Sequence, residues 1–127
     1  MDYQTLNSWR GIEKEIRILE NLINTKTGMI TACDNVHRED CDAAGRRERL
    51  TREIEDHLNA LGKCEAMRHK IEDFVVGVTD TDVRIAMRLH FLMGWTWVKT
   101  GMHLDLDESA IRKKVKAYLD LFGAADN

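Results

Sequence analysis

Apolar residues recur at three- and four-residue spacing along almost all of this 127-residue chain, and no proline interrupts them. That spacing stacks side chains on one face of a helix, whereas a half-buried strand would need alternation. From Tyr3 to Thr25 the stripe is Leu6, Trp9, Ile12, Ile16, Leu19 and Ile23, close to a heptad repeat. Arg10, Glu13, Lys14, Arg17 and Glu20 take the other face. One stripe on a long helix needs a partner. The longest pattern runs from Arg46 to Val78, through Leu50, Ile54, Leu58 or His57, Leu61, Met67, Ile71, Phe74, Val75 and Val78. Folding the two segments back on each other as an antiparallel hairpin buries both stripes. Residues 26–45 between them are mixed, polar and bounded by Gly28 and Gly45, which predicts a loop or broken helix with Gly28 breaking or closing the first arm. Gly62 weakens the second pattern locally, and Gly77 marks its end.

After the arms, Thr79-Asp80-Thr81-Asp82 supplies capping residues for a helix over Val83 to Met93. Ile85, Ala86, Leu89, Leu92 and Met93 are expected to pack on the two helices C-terminal to it, leaving Val83, Met87 and Phe91 for the arms. The six methionines read as core filler. Gly94 ends this run. Thr96 can cap a short helix carrying Trp97, Val98 and Gly101, since its hydroxyl can accept from an amide two or three residues on. A break follows at His103-Leu104-Asp105-Leu106. Asp105 tolerates a left-handed backbone better than most residues, and Leu104 and Leu106 can wedge between the helices. Gly101, without a side chain, permits close backbone approach where the helices cross. Asp107 then offers a cap for a last helix. Its packed face holds Ile111, Val115, Tyr118, Leu119 and Phe122; Ser109, Arg112, Lys113 and Lys116 fall opposite. This pattern is that of a helix-turn-helix; a plain helical hairpin with a solvated basic face would show the same periodicity.

The stretch from Arg84 to Leu119 resembles the region-four helix-turn-helix of bacterial sigma factors. More narrowly, it is similar to the ArpU/RinA-type phage regulators of late transcription. The shared segments are Phe91-Leu92-Met93-Gly94, Trp95-Thr96-Trp97-Val98 and Ser109-Ala110-Ile111-Arg112-Lys113-Lys114-Val115. No gap is needed between Thr96 and Val115. The resemblance implies a phage or prophage transcription regulator whose last helix enters the major groove of promoter DNA. It places Thr96, Lys99, Ser109, Arg112, Lys113 and Lys116 against the duplex and makes RNA polymerase a further partner. The chain departs from the family pattern at Asp105, where glycine is common, and at Thr100, where an apolar residue is usual. Asp105, Asp107 and Glu108 also make the approach to the groove acidic.

The expected fold class is therefore all-α, with a helical hairpin over 1–78 serving as an oligomerisation arm and a trihelical helix-turn-helix unit over 79–127. Net charge is −3, but the stretch from Asp82 to Asp120 sets seven basic residues against five acidic ones and is locally +2, leaving −5 for the rest. That asymmetry fits a protein that offers DNA one face, and excludes a non-specific coating protein built on many phosphate contacts. Aromatic content of 6% argues against a large β core. No secretory signal or long apolar run is present, so a cytoplasmic protein without membrane contact is expected. Three cysteines, an odd number, argue against a disulfide framework. Cys33, His37 and Cys41 are four apart and chemically able to hold zinc, with Cys64 or His69 as a fourth ligand. They lack the paired Cys-x2-Cys knuckle, so the reading is free thiols and a solvated histidine, with no metal or cofactor. No nucleophile elbow, phosphate-binding loop or metalloprotease motif occurs, and the carboxylates lie on solvated helix faces, so no enzymatic activity is expected. The partners expected are double-stranded DNA, RNA polymerase and a second copy of the chain through the arms. Two rival readings share these features: a small terminase subunit, which would assemble as a ring of many copies, and a protein-interaction module whose helix-turn-helix is vestigial.

Overall fold

The computed structural model describes residues 1–35 and 43–123. The described residues are helical, with no strand among them. In order they form α1 (Tyr3–Asn7), α2 (Trp9–Asn35), α3 (Ala43–Val76), α4 (Thr81–Met87) continuing into a π-helical turn (Arg88–Leu92), α5 (Trp97–His103) and α6 (Glu108–Phe122). The fold is all-α, as the periodicity requires. None of the described helices is long and apolar enough to cross a membrane.

The chain divides into two compact units, one of Lys14–Ala66 and one of Met1–Glu13 with Met67–Asn127. The first is a helical hairpin. On α2, Ile16 and Leu19 are buried and Ile23, Lys26, Ile30 and Cys33 are half-buried; on α3, Leu50, Ile54, His57, Leu61 and Cys64 are half-buried. Both sets advance by alternating threes and fours, the spacing that keeps a seam facing its partner. Cross-helix contacts give the direction. Glu15 lies beside Cys64, and together burial and this carboxylate push the thiol up. Lys26 Nζ is 2.8 Å from His57 Nε2 and 3.2 Å from a Glu53 carboxylate oxygen. Arg47 pairs with Asp34 at 3.1 Å. The helices are thus antiparallel, as expected.

Three details differ from expectation. His57, not Leu58, faces the seam, because Lys26 arrives there as its hydrogen-bond partner; Leu58 is left half exposed. Gly28 does not end the first arm, since α2 runs on to Asn35. Space around Gly28 is open, and one interior glycine costs a helix only about 1 kcal/mol relative to alanine, which continued seam packing offsets. The polar stretch over 26–45 is accordingly helical at both ends. Of the metal-capable trio, Cys33 is a half-buried free thiol, while His37 and Cys41 lie outside the described residues.

The other unit is built around one core of Met1, Leu6, Trp9, Ile71, Val75, Val78, Val83, Ala86, Met87, Phe91, Ile111, Val115 and Leu119. Its members come from both chain ends. Helices as short as α4 and α5 bury little on their own, so the trihelical unit borrows Leu6 and Trp9 from the N-terminus and Ile71 and Val75 from α3. The contacts consequently separate at 13/14 and 66/67 rather than at 78/79. Asp80 caps α4, its carboxylate accepting from the Val83 amide at 3.2 Å. The α4 helix therefore begins two residues before Val83. Arg84 donates from Nη1 to the Val78 carbonyl at 2.7 Å and pins the connection to α3.

The π-helical turn was not foreshadowed by the sequence. Its wider loop (Met93 amide to Arg88 carbonyl, 2.9 Å) rotates the following side chains out of ordinary helical phase. Leu89 and Phe91 go inward, and Met93, expected to pack, is left 58% exposed. Nor are the methionines mainly filler: Met1 and Met87 are buried, but Met29, Met93 and Met102 are exposed.

Candidate nucleic-acid interface

The helix-turn-helix is assembled by its caps. The Thr96 hydroxyl accepts from the Lys99 amide at 3.1 Å and starts α5. Asp107 starts α6, its carboxylate accepting from the Ser109 amide (3.3 Å) and the Ser109 hydroxyl (2.6 Å). These bonds from Ser109 hold the Asp107 carboxyl below its ordinary range, so it is ionised at the positive end of α6.

Between the caps, α5 ends in a Schellman turn. The Leu106 amide donates to the Gly101 carbonyl (2.8 Å) and the Asp105 amide to the Met102 carbonyl (3.3 Å). Asp105 takes the left-handed position with φ 56°, where aspartate is among the few non-glycine residues at ease. A Cβ on Gly101 would lie 2.6 Å from the Leu106 carbonyl oxygen, so close approach does require glycine there. Thr100 is fully buried and its hydroxyl has no hydrogen-bond partner among the described residues. Replacing it with valine keeps the shape and removes a stranded polar group. Thr100→Val should raise the free energy of unfolding by about 1–2 kcal/mol, read as a higher urea midpoint at unchanged slope; a lower midpoint would mean the hydroxyl is satisfied.

The turn leading into α5 is braced by aromatic rings. Gly94 adopts φ 79°, after which the Trp95 amide donates to the Leu89 carbonyl at 2.9 Å. His90 Nδ1 sits 2.7 Å from the Trp95 carbonyl, which can only accept, so Nδ1 carries the proton. The His90 ring stacks on Trp97 at 3.8 Å, and Phe91 meets both Trp97 and Tyr3 edge-on. Burial among these rings holds His90 below its ordinary pKa of 6.5. The sign follows from linkage. Well above pH 6.5 the ring is neutral in both states; as pH falls below it, the unfolded chain takes up the proton first, and stability declines until the folded-state pKa is passed. Urea midpoints measured from about pH 7.5 down to about pH 5 should therefore fall more steeply for the wild type than for His90→Phe. Parallel curves would refute this role for His90.

On α6, Ile111, Val115 and Leu119 are buried, as expected, with Tyr118 packed beside them; Phe122 is 48% exposed. Ser109, Arg112, Lys113 and Lys116 are all exposed. Arg112 pairs with Glu108 one turn back at 3.5 Å, a contact too exposed to hold it firmly. Lys113 and Lys116 have no ion pair among the described residues. Lys114 is turned aside to Asp82, at 3.6 Å. The four candidate residues of α6 line one side of a groove of about 800 Å³, faced by Met1, Asp2 and Tyr3 and completed by Trp97, Leu119 and Asp120.

No family model, curated protein or solved structure matches the chain. The geometry of the site is therefore what bears on function. It brings Ser109, Arg112, Lys113 and Lys116 together. Thr96 and Lys99 do not line the groove: the Thr96 hydroxyl is used in its cap, and the Lys99 ammonium lies 4.1 Å from the Trp95 ring centroid. Sequence reasoning missed the contribution of Trp97 and of the N-terminal residues. Nothing in local spacing announces the latter, because Met1 reaches the site through a bond from its backbone nitrogen to the Gly123 carbonyl.

Proposed function

We propose that this protein is a phage or prophage transcription regulator that reads promoter DNA with α6. The observation that carries the reading is a rigidly capped helix-turn-helix whose second helix buries Ile111, Val115 and Leu119 while turning Arg112, Lys113 and Lys116 to solvent. Arg112 is suited to a bidentate contact with a base edge, and Lys113 and Lys116 to phosphates. In this reading Thr96 and Lys99, at the start of α5, meet the backbone of the same duplex. RNA polymerase is the second partner in this reading. A further copy of the chain would pack on the helical hairpin, where Ile18, Met29 and Leu58 are about half exposed.

Selection of bound duplexes from a random-sequence pool with the purified protein tests the proposal. An enriched motif is expected, with affinity falling as salt rises. Three lysine–phosphate contacts correspond to a slope of log K on log salt near −3. A pool that stays random, with affinity indifferent to salt, would remove the DNA reading.

A further inference from the structure

The groove along α6 has features that a DNA-reading helix does not need. The N-terminal residues Met1, Asp2 and Tyr3 stand beside α6 and line a groove with it. The volume, about 800 Å³, falls within the range of small-molecule sites. Trp97 is held flat by the His90 stack, and Tyr3 is set edge-on against Phe91, so the aromatic wall is already in place without a ligand. Leu119 adds an aliphatic surface. The charged residues of the lining are Arg112, Lys113 and Lys116 and two carboxylates, Asp2 and Asp120. Asp2 is committed to the cap of α1, accepting from the Thr5 amide at 2.7 Å. The lysines are committed to nothing among the described residues.

We infer that this groove binds a small organic anion with a flat aromatic body, the ring against Trp97 and Tyr3 and the acid group between Lys113 and Lys116. Charge complementarity decides the acid group, since two such ammonium groups beside an apolar wall favour a carboxylate over a neutral or cationic head. The fixed aromatic rings decide the body, because stacked and edge-on contacts reward a planar ring system over a flexible chain. The same cations are those proposed to face DNA. Ligand and duplex would therefore exclude each other, making the anion an effector that releases the regulator from its site. That regulatory step rests on the DNA-binding reading; the ligand site does not.

The test uses the full chain and 2-naphthoate as probe, followed by amide and indole resonances in NMR. Saturable shifts are expected at the Trp97 indole N–H and along α6 from Ser109 to Asp120. 2-Naphthamide, the neutral analogue, should bind at least about tenfold more weakly, as should naphthoate to the exposed-site variant Lys113→Gln/Lys116→Gln. Laurate, an anion with a flexible tail, should also bind more weakly. Equal affinity for the amide, an unaffected double variant, tighter binding of laurate, or shifts confined to the hairpin unit would each overturn the assignment. Adding the selected duplex then separates the two proposals. Competition with naphthoate supports the effector role. Simultaneous binding of both overturns that role while leaving the ligand site in place. A protein that binds naphthoate but no DNA refutes the regulator reading alone.

Discussion

Changing Arg112, Lys113 and Lys116 together to alanine should leave the protein folded and remove its sequence-specific DNA binding. None of the three side chains supports the core: all are exposed, and the one ion pair described among them, Arg112 to Glu108, is half open to water. Exposed pairs of this kind contribute at most about 1 kcal/mol, and alanine is a good helix former, so the melting temperature should barely move. Binding should respond very differently. The base-reading contact of Arg112 is worth about 1–3 kcal/mol, roughly 10- to 100-fold in affinity, and losing the two lysine–phosphate contacts weakens the complex further, most at low salt. Circular dichroism and fluorescence anisotropy with the selected duplex measure the two halves. The single variants refine the roles: Arg112→Ala should relax sequence preference, whereas Lys113→Ala and Lys116→Ala should each lower the salt slope by about 1. If the triple variant holds the selected duplex as tightly as the wild type, α6 is not the reading helix.

Adding a single methyl group at Gly101 should produce a large loss of stability for so conservative a change. By helix propensity alone, Gly101→Ala would gain about 1 kcal/mol. The methyl, however, would sit 2.6 Å from the Leu106 carbonyl oxygen and 3.4 Å from the Glu108 amide. Both are backbone atoms, which cannot swing away as a side chain could. The Schellman turn and the start of α6 must move, and overpacking of this sort costs about 1–3 kcal/mol after relaxation. A net loss of about 2 kcal/mol corresponds to a melting point lower by roughly 10 °C. Gly62→Ala makes the control, because nothing lies within 4 Å of that position and the helix should gain. Should both glycine variants be stabilised alike, the close approach of α5 to the turn would be disproved.

Much of this helix-turn-helix could be read from the chain because its determinants are local. Thr96 and Asp107 cap helices two or three residues away, Asp105 is among the few residue types at ease with positive φ, and Gly101 lies within five residues of the turn it admits. The two heptad stripes were legible for the same reason. Failures fell where a residue's behaviour depends on distant partners. Gly28 has the look of a stop, but the opposing helix supplies packing that carries α2 past it. His57 or Leu58 could face the seam equally well by spacing, and Lys26, 31 residues away, decides between them. The π-helical turn, in which Leu89 and Phe91 are both buried, carries no signal in the local spacing.

By itself, then, the sequence determined the helical class, the antiparallel arms, the capped turn and the split of α6 into an apolar and a basic face, because those properties follow from spacing and from backbone preference within a few residues. Tertiary structure alone decided that the N-terminal residues and one end of α3 complete the core around the helix-turn-helix, and that Tyr3 and Trp97 turn its basic face into a groove. Those outcomes required burying apolar surface across more than 100 residues of chain, as the bond from Met1 to Gly123 shows, and solvent exclusion over such separations leaves no periodic trace in the sequence.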